Sequence, residues 1–134
     1  MIKFRYKYVK IGMYYRPIMS VAVSHNNVSS NYMVLLDSGA DFNIFHSDLA
    51  RIFKIDLSKL KTITFGGINK GSKGVGYLSA ITIGVENYLF DTSVIFCDSI
   101  SPNGYGIVGQ NGFFNKFKIR FDYKGKDIYL KTNT

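Results

Sequence analysis

Charged and apolar residues alternate one by one near both ends of the 134-residue chain, in residues 3–10 and 116–124. Successive side chains of a β-strand point to opposite faces, so this period of two places the lysines on one face and the aromatic or aliphatic residues on the other. Both segments are therefore predicted to be strands with one solvated, basic face and one buried face.

The composition agrees with a β-rich chain. It has 13 glycines against two prolines and is rich in Ile, Val, Phe, Tyr and Thr, so that glycine is expected to make most of the turns. An apolar fraction of 46% with 16% aromatic residues excludes a disordered chain. The length gives room for one core, and we expect a single all-β domain over residues 1–134.

The net charge of +8, from 17 basic and nine acidic residues, raises the hypothesis of nucleic-acid or anionic-surface binding. Because eight of the 17 basic residues fall in the two alternating segments, a solvated sheet face is the simpler interpretation, and no nucleic-acid partner is expected. Cys97 is the only cysteine and lies in an apolar run, which predicts a buried thiol and excludes an internal disulfide. Neither a signal peptide nor a membrane span is evident, so we expect a cytoplasmic protein.

The pattern predicts further strands and one helix. Residues 18–24 and 32–36 form a predicted hairpin, and because residues 32–36 show no alternation, that strand is expected to be buried on both faces. Ser47 is the predicted N-cap of a helix of about two turns. The remaining predicted strands cover residues 63–65, 77–83, 88–90, 93–97, 117–123 and 127–131. Tyr14 and Tyr15 are expected to pack against the barrel.

Eleven residues that include five glycines connect two of these strands, at positions 66–76. Glycine has no side chain beyond a hydrogen atom and has wide backbone freedom, so the connection is predicted to be a mobile hairpin that projects from the body of the domain.

Asp37 is the residue with the clearest chemical implication. It directly follows an apolar run, where a carboxylate is costly to bury without hydrogen bonds. Ser38 offers a hydroxyl group, and the backbone N–H groups of Gly39 and Ala40 can turn toward the carboxylate. The Asp-Ser-Gly triplet alone is a common turn sequence, and its context makes it specific.

In that context the sequence resembles the retropepsin-like aspartic proteases, in particular their cellular, non-viral members. Three features occur in the family's order: the apolar strand entering Asp37-Ser38-Gly39-Ala40, the glycine-rich hairpin over residues 62–77, and Ile107-Val108-Gly109 before a short helix. The resemblance covers roughly residues 18–131. It implies a small closed β-barrel with one or two short helices and a flap hairpin.

The resemblance also implies roles for individual residues. Asp37 of each protomer of a C2 homodimer would form a catalytic dyad that activates a water against a peptide bond, without cofactor or metal. Ser38, Gly39 and Ala40 would support the active-site loop, and Ile107, Val108 and Gly109 would pack beneath it. The substrate-binding residues implied are Asp41, Gly66, Gly67 and Ile68. A four-residue insertion, Lys70 to Lys73, lengthens the flap beyond the compact viral pattern.

Two alternatives in other functional classes stay open at this point. One is a catalytically silent module that binds peptides in the same groove. The other is a basic β-barrel that binds single-stranded nucleic acid through its aromatic residues. His25 and His46 lack partners at ligand spacing, so a metal site is not expected. The natural substrate, the pH optimum and the surfaces that join the two chains do not follow from the sequence.

Overall fold

A computed structural model describes residues 1–66, 73–100 and 104–133 of the chain. Its strands, in chain order, are β1 (Lys3–Lys7), β2 (Val9–Ile11), β3 (Tyr14–Arg16), β4 (Ile18–His25), β5 (Val28–Leu36), β6 (Ile44–His46), β7 (Lys61–Gly66), β8 (Lys73–Val85), β9 (Tyr88–Cys97), β10 (Gly106–Val108), β11 (Phe117–Asp122) and β12 (Asp127–Thr132). Helix α1 spans Ser47–Ile52, and two 3-10 turns cover Leu57–Lys59 and Phe114–Lys116. None of the helices described is long and apolar enough to cross a membrane.

Six strands close into a barrel in the order β4, β5, β10, β6, β9 and β8, with β8 pairing back to β4. Two of the strand pairs in the barrel, β5–β10 and β6–β9, are parallel. The other pairs in the barrel, among them β4–β5 and β8–β9, are antiparallel. Beside the barrel, β1, β12 and β11 form a three-stranded sheet, and β2 with β3 forms a separate two-stranded ribbon. The predicted all-β barrel with short helices is confirmed.

One apolar core fills the barrel and reaches under the three-stranded sheet. Phe45, Phe96, Val34 and Val108 are fully buried at its centre. Phe117 links the sheet to the barrel through edge-to-face contacts with Phe4 and Phe90, whose ring centroids lie 6.5 and 5.6 Å away. The alternation predicted for the amino-terminal strand is confirmed over β1, because Phe4 is buried while Lys3 and Arg5 are exposed. The predicted single strand over residues 3–10 is wrong beyond Lys7, because the chain leaves the sheet at Tyr8 and residues 9–11 form β2 of the separate ribbon.

The prediction that the strand ending at Leu36 is buried on both faces is wrong. Val34 and Leu36 are buried, with exposures of 0% and 3%, but Met33 is 41% exposed and Leu35 is only partly covered. The barrel interior covers one face of β5, and the described parts of the same chain leave the other face largely exposed. The apolar residues of that second face therefore need an explanation other than burial within this chain.

Three local predictions also need correction. His46, not Ser47, is the N-cap of α1, because its side chain accepts the N–H of Asp48 at 3.0 Å while Ser47 is buried and bonds Asp98. Strands predicted at residues 88–90 and 93–97 are one strand, β9, whose Asp91 accepts a hydrogen bond from Thr82 on β8. Tyr14 and Tyr15 are 66% and 40% exposed on the ribbon. The buried Cys97 is as predicted.

Candidate active site

Asp37 stands at the carboxyl end of β5, between two neighbours that hold its backbone. Its N–H donates to the carbonyl of Val108 at 3.0 Å, which extends the parallel β5–β10 pairing by one residue. On the other side the N–H of Leu36 donates to the carbonyl of Pro17 at 2.9 Å. The position of Asp37 is thus set by residues far away in the sequence.

A tight turn follows. The N–H of Gly39 donates to the Asp37 carboxylate at 2.9 Å, and the N–H of Ala40 donates to the Asp37 carbonyl at 3.1 Å. Of the two backbone donors expected at the carboxylate, Gly39 therefore provides one, and Ala40 closes the turn instead. A Cβ atom on Gly39 would lie 3.2 Å from the same carboxylate oxygen, a close contact that requires the carboxylate to shift by a few tenths of an ångström.

A second loop, residues 109–111, clasps this turn. The Gln110 side chain donates to the Ser38 carbonyl at 2.6 Å, and the Gln110 N–H donates to the Ala40 carbonyl at 2.9 Å. Asn111 donates twice to the Asp41 carbonyl, from its backbone at 2.8 Å and from its side chain at 3.1 Å. The backbone of the Asp37 turn is therefore held along its length, whereas Ser38 as a residue is exposed.

Glycine is required at position 109 for steric reasons. A Cβ atom there would lie 2.6 Å from both the Ala40 and the Phe42 carbonyl oxygens, and these are backbone atoms that cannot move aside like a flexible side chain. Ile107 is partly covered and Val108 is buried, directly beside Leu35 and Leu36 in the parallel register. The β10 strand with Gly109 thus lies against the strand and the turn that carry Asp37.

Asn43 is the buried polar residue behind the site. It is fully buried, accepts the N–H of Gly109 at 3.1 Å and donates to the Ser93 carbonyl at 3.0 Å. Its own carbonyl accepts the N–H of Ile95 at 2.9 Å. A buried amide with its hydrogen bonds satisfied fixes its surroundings strongly, because each lost partner leaves a costly unpaired group.

An open cavity of about 430 Å³ lies beside Asp37. Asp37 and Ser38 provide its polar edge, and its other walls are Tyr8, Pro17, Leu35, Leu36 and Phe121. Among the described residues that line it, Asp37 is the one acid. The partly exposed Leu35 of β5, unexplained by packing within the chain, is one of the apolar walls.

Of the other candidate substrate-binding residues, Asp41 is not among the described residues that line this cavity. Asp41 is exposed in the loop after the turn, with its carbonyl bound by Asn111. The β7–β8 hairpin is present as far as the Gly66–Lys73 pair. Gly67 and Ile68, predicted for its tip, lie outside the described residues. Within the described parts of the chain, no group of three or more potential metal-ligating side chains comes together.

Sequence reasoning missed Asn43 and Gln110 as parts of the site. The signal for Asn43 was present, since it is a lone polar residue in the run Phe42 to Phe45, and a polar residue in a buried strand usually has a specific hydrogen-bonding role. Gln110 gives no such signal, because its contact with Ser38 joins residues 72 positions apart.

No protein-family model matches the sequence, and no curated protein matches it. Solved structures do match. A retropepsin-like aspartic protease from Rickettsia conorii matches with a TM-score of 0.67 at 18% identity, over 96% of this chain and 89% of that one. The EIAV protease complexed with the inhibitor HBY-793 matches with a TM-score of 0.49 at 22% identity, over 75% and 88% of the two chains. The first match, with the six-stranded barrel, shows that this chain has the retropepsin-like fold.

Proposed function

We propose that this chain is an aspartic endopeptidase whose catalytic group is Asp37. The observation that carries the proposal is the placement of that carboxylate: it stands at the open end of a barrel strand, bonded by Gly39 and facing a solvent-accessible cavity with apolar walls. A turn clasped by Gln110 and Asn111 holds it. The fold supports the proposal, because the Rickettsia conorii protein that shares this architecture is described as a retropepsin-like aspartic protease.

The chemistry needs a second carboxylate. Two carboxylates that share a site cannot both ionise, so the pKa of one is raised and it stays protonated. The ionised member then acts as general base on a water, while the protonated member donates a hydrogen bond to the scissile carbonyl. The water attacks the carbonyl carbon directly, and the amide nitrogen leaves with a proton from the dyad.

One chain supplies one Asp-Ser-Gly turn, so a second copy of the chain supplies the partner Asp37 in this proposal. A C2 dimer brings the same patch of both subunits together, which places the two copies of one residue opposite each other when that residue lies near the axis. Exposed apolar side chains flank the turn and are consistent with such a contact. Phe42 in the same loop is 49% exposed and Phe121 at the cavity is 37% exposed.

The proposed substrate is an extended peptide with apolar side chains on either side of the scissile bond. Leu35, Pro17 and Phe121 give the cavity walls that such side chains fit. Asp41 would accept backbone N–H groups of the peptide. The β7–β8 hairpin would lie over the peptide as a flap, with Gly66 near its end and Gly67 and Ile68 at its tip.

The test is cleavage of a peptide library by the wild-type chain and by Asp37→Asn, which keeps the shape of the side chain and removes its charge. We expect cleavage between apolar residues by the wild type and none above background by the variant, at unchanged thermal stability. Asp48→Asn, at an exposed position in the first turn of α1, is the matched control and should cleave like the wild type.

Two outcomes would overturn the proposal. Cleavage that persists in Asp37→Asn would place the chemistry elsewhere. Peptide binding without cleavage by the wild type, at any pH and at concentrations where the dimer forms, would make the chain a silent peptide-binding module.

A further inference from the structure

The three-stranded sheet carries a face that the proposed protease does not use. The side chains of β1, β12 and β11 that point away from the core form three rows across the strands, as the register shows. The first row is Lys3, Lys131 and Lys118; the second is Arg5, Tyr129 and Arg120; the third is Lys7, Asp127 and Asp122. Two basic segments from opposite ends of the sequence thus form one surface.

The first row places three lysines directly opposite one another, Lys3 against Lys131 and Lys131 against Lys118. Neighbouring strands lie about 4.8 Å apart, and like charges directly opposite on one sheet face are destabilising. Such a row raises the free energy of the folded sheet unless an anion lies between the charges.

The third row shows the opposite arrangement. Asp127 accepts Lys7 at 2.8 Å and Arg5 at 3.1 Å, so these cations are paired within the sheet. Among the described residues, Lys3, Lys118, Arg120 and Lys131 make no such ion pair. The compensated charges lie at one end of the face and the uncompensated charges at the other.

A shallow cavity of about 350 Å³ lies at the uncompensated end. Its lining includes Lys3, Lys118, Arg120, Tyr129 and Lys131, named here the basic cluster, together with the apolar residues Phe4, Ile119 and Leu130 of the same strands. This volume falls within the range of small-molecule sites, roughly 300–1,000 Å³. The guanidinium of Arg120 lies 4.0 Å from the centroid of the Tyr129 ring, which holds its planar donor group over that ring.

We propose that the basic cluster binds a compact anion that carries two or more phosphate groups. Lysine ammonium groups act as point charges toward phosphate, and a guanidinium held against an aromatic ring can bind one phosphate through two N–H groups. Three lysines within about 10 Å match several phosphates on one small scaffold better than a single phosphate. A bound anion of this kind also removes the repulsion within the lysine row.

The contacts of the Tyr129 ring argue against a single-stranded nucleic acid as the ligand. Binding of single strands relies on aromatic rings that stack against bases. Tyr129 is the one aromatic side chain among the three described rows, and two guanidinium groups lie over its ring, Arg120 at 4.0 Å and Arg5 at 5.7 Å from the centroid. The face therefore offers many cations and a single aromatic ring that already contacts two of them.

The basic cluster is separate from the candidate active site. Phe121 borders the Asp37 cavity, whereas Lys118 and Arg120 project from the opposite face of the same strand, β11. The two cavities share no lining residue. Binding at the basic cluster is thus independent of the proposed protease activity, and either proposal can fail without the other.

Titration calorimetry with inositol hexakisphosphate as the probe tests the proposal. The wild type should bind one probe molecule per chain. Lys118→Gln/Lys131→Gln should bind at least about tenfold more weakly, since each cation near clustered phosphates contributes several-fold to affinity. Lys10→Gln/Lys59→Gln removes the same charge from elsewhere on the surface and should bind within about twofold of the wild type.

A thermal melt separates binding from folding. Because the Lys118→Gln/Lys131→Gln variant relieves repulsion within the row, it should melt at or above the wild-type temperature without the probe. With the probe, the wild type should gain thermal stability and the variant should not. Sedimentation with phosphatidylcholine vesicles, with and without a phosphoinositide, identifies the source: capture by the phosphoinositide vesicles assigns a lipid headgroup, and no capture assigns a soluble ligand.

Three results would overturn the proposal. Equal affinity of the two double variants would mean that net charge alone binds the probe. Competition by orthophosphate as effective as by the probe would mean that no multi-phosphate site exists. Tighter binding of a single-stranded oligonucleotide than of the probe, lost in Lys118→Gln/Lys131→Gln, would replace the compact anion with a nucleic acid.

Discussion

Asn43 connects three segments of the chain behind Asp37. Its side chain joins Gly109 to Ser93, and its backbone joins β9 through Ile95. Because Gly109 in turn lies against the Ala40 and Phe42 carbonyls, the amide of Asn43 acts on the Asp37 turn through one intermediate residue. It is a positioning residue for the proposed catalytic group.

Asn43→Ala should lower the free energy of unfolding by about 2–4 kcal/mol, because it leaves the buried Gly109 N–H without its acceptor and removes the partly buried bond to the Ser93 carbonyl. Urea unfolding followed by tyrosine fluorescence measures the change. Asn31→Ala, at an exposed position of β5, should change stability by less than about 0.5 kcal/mol. A loss at Asn43 no larger than the loss at Asn31 would contradict the assigned role.

Gly109→Ala should disturb the candidate active site more than it disturbs the packing of the core. The added methyl group meets two backbone carbonyls at 2.6 Å, so the Asp37 turn or β10 has to shift. We expect peptide cleavage to fall by about a hundredfold, since a displacement near 1 Å of a catalytic group has an effect of that size. Steady-state kinetics of the variant at a temperature where it is folded measures this, and near-normal kcat would show that the turn does not depend on this contact.

Asp127 fixes the amino-terminal strand at the level of secondary-structure elements. The carboxylate is buried in β12 and accepts hydrogen bonds from Lys7 and Arg5, both on β1. These contacts hold the pKa of Asp127 below its ordinary value of 3.8, with the Lys7 hydrogen bond as the largest cause. The β1–β12 pairing therefore has an acid-sensitive link.

The sign of the pH effect follows from that lowered pKa. The link stabilises the fold above the unfolded-state pKa, near 3.8, and is lost as the pH falls through the lower folded-state value. Asp127→Asn should thus be less stable than the wild type by a constant amount from neutral pH down to about 4, and the difference should shrink below it. Urea unfolding across this pH range checks it; a gap that stays constant below pH 4 would contradict the assigned link.

At the level of secondary-structure elements, the sequence predicted the positions of several strands better than it predicted which neighbours cover them. Alternation located β1 and β11, and the apolar run before Asp37 located the end of β5, because these signals depend on neighbouring residues alone. The sequence could not show that Met33 and Leu35 lie on a largely exposed face, since burial depends on which strands become neighbours. Nor could it show that β1 and β11 both flank β12, which turns two separate basic segments into one surface.

The whole molecule, in our proposal, works as a pair of chains with half an active site each. Met33 on the outward face of β5, together with Phe42 and Phe121, leaves a large part of its apolar surface exposed in the single chain. An interface between two copies would cover such residues and bring both Asp37 turns to the axis. Peptide cleavage would then be proportional to the concentration of the dimer and not to the total concentration of the chain.

Mixing of subunits tests this proposal directly. If each dimer needs two Asp37 carboxylates, a ninefold excess of Asp37→Asn chains should lower the activity of a fixed amount of wild-type chain about tenfold, because most wild-type chains then have an inactive partner. An equal excess of Asp37→Asn/Gly109→Ala chains, if the second change prevents the turn from meeting its partner, should inhibit less. Activity that is unaffected by Asp37→Asn chains would exclude a shared site.

The clasp between the Asp37 turn and Gln110 has a consequence for synthesis on the ribosome. The side-chain bond from Gln110 to Ser38 spans 72 residues, and the parallel strand that fixes Asp37 lies equally far along the chain. A nascent chain that has emerged only as far as β9 therefore contains the carboxylate but not the residues that aim it. In our proposal, the growing polypeptide therefore gains cleavage activity only after β10 and Gln110 have left the ribosome.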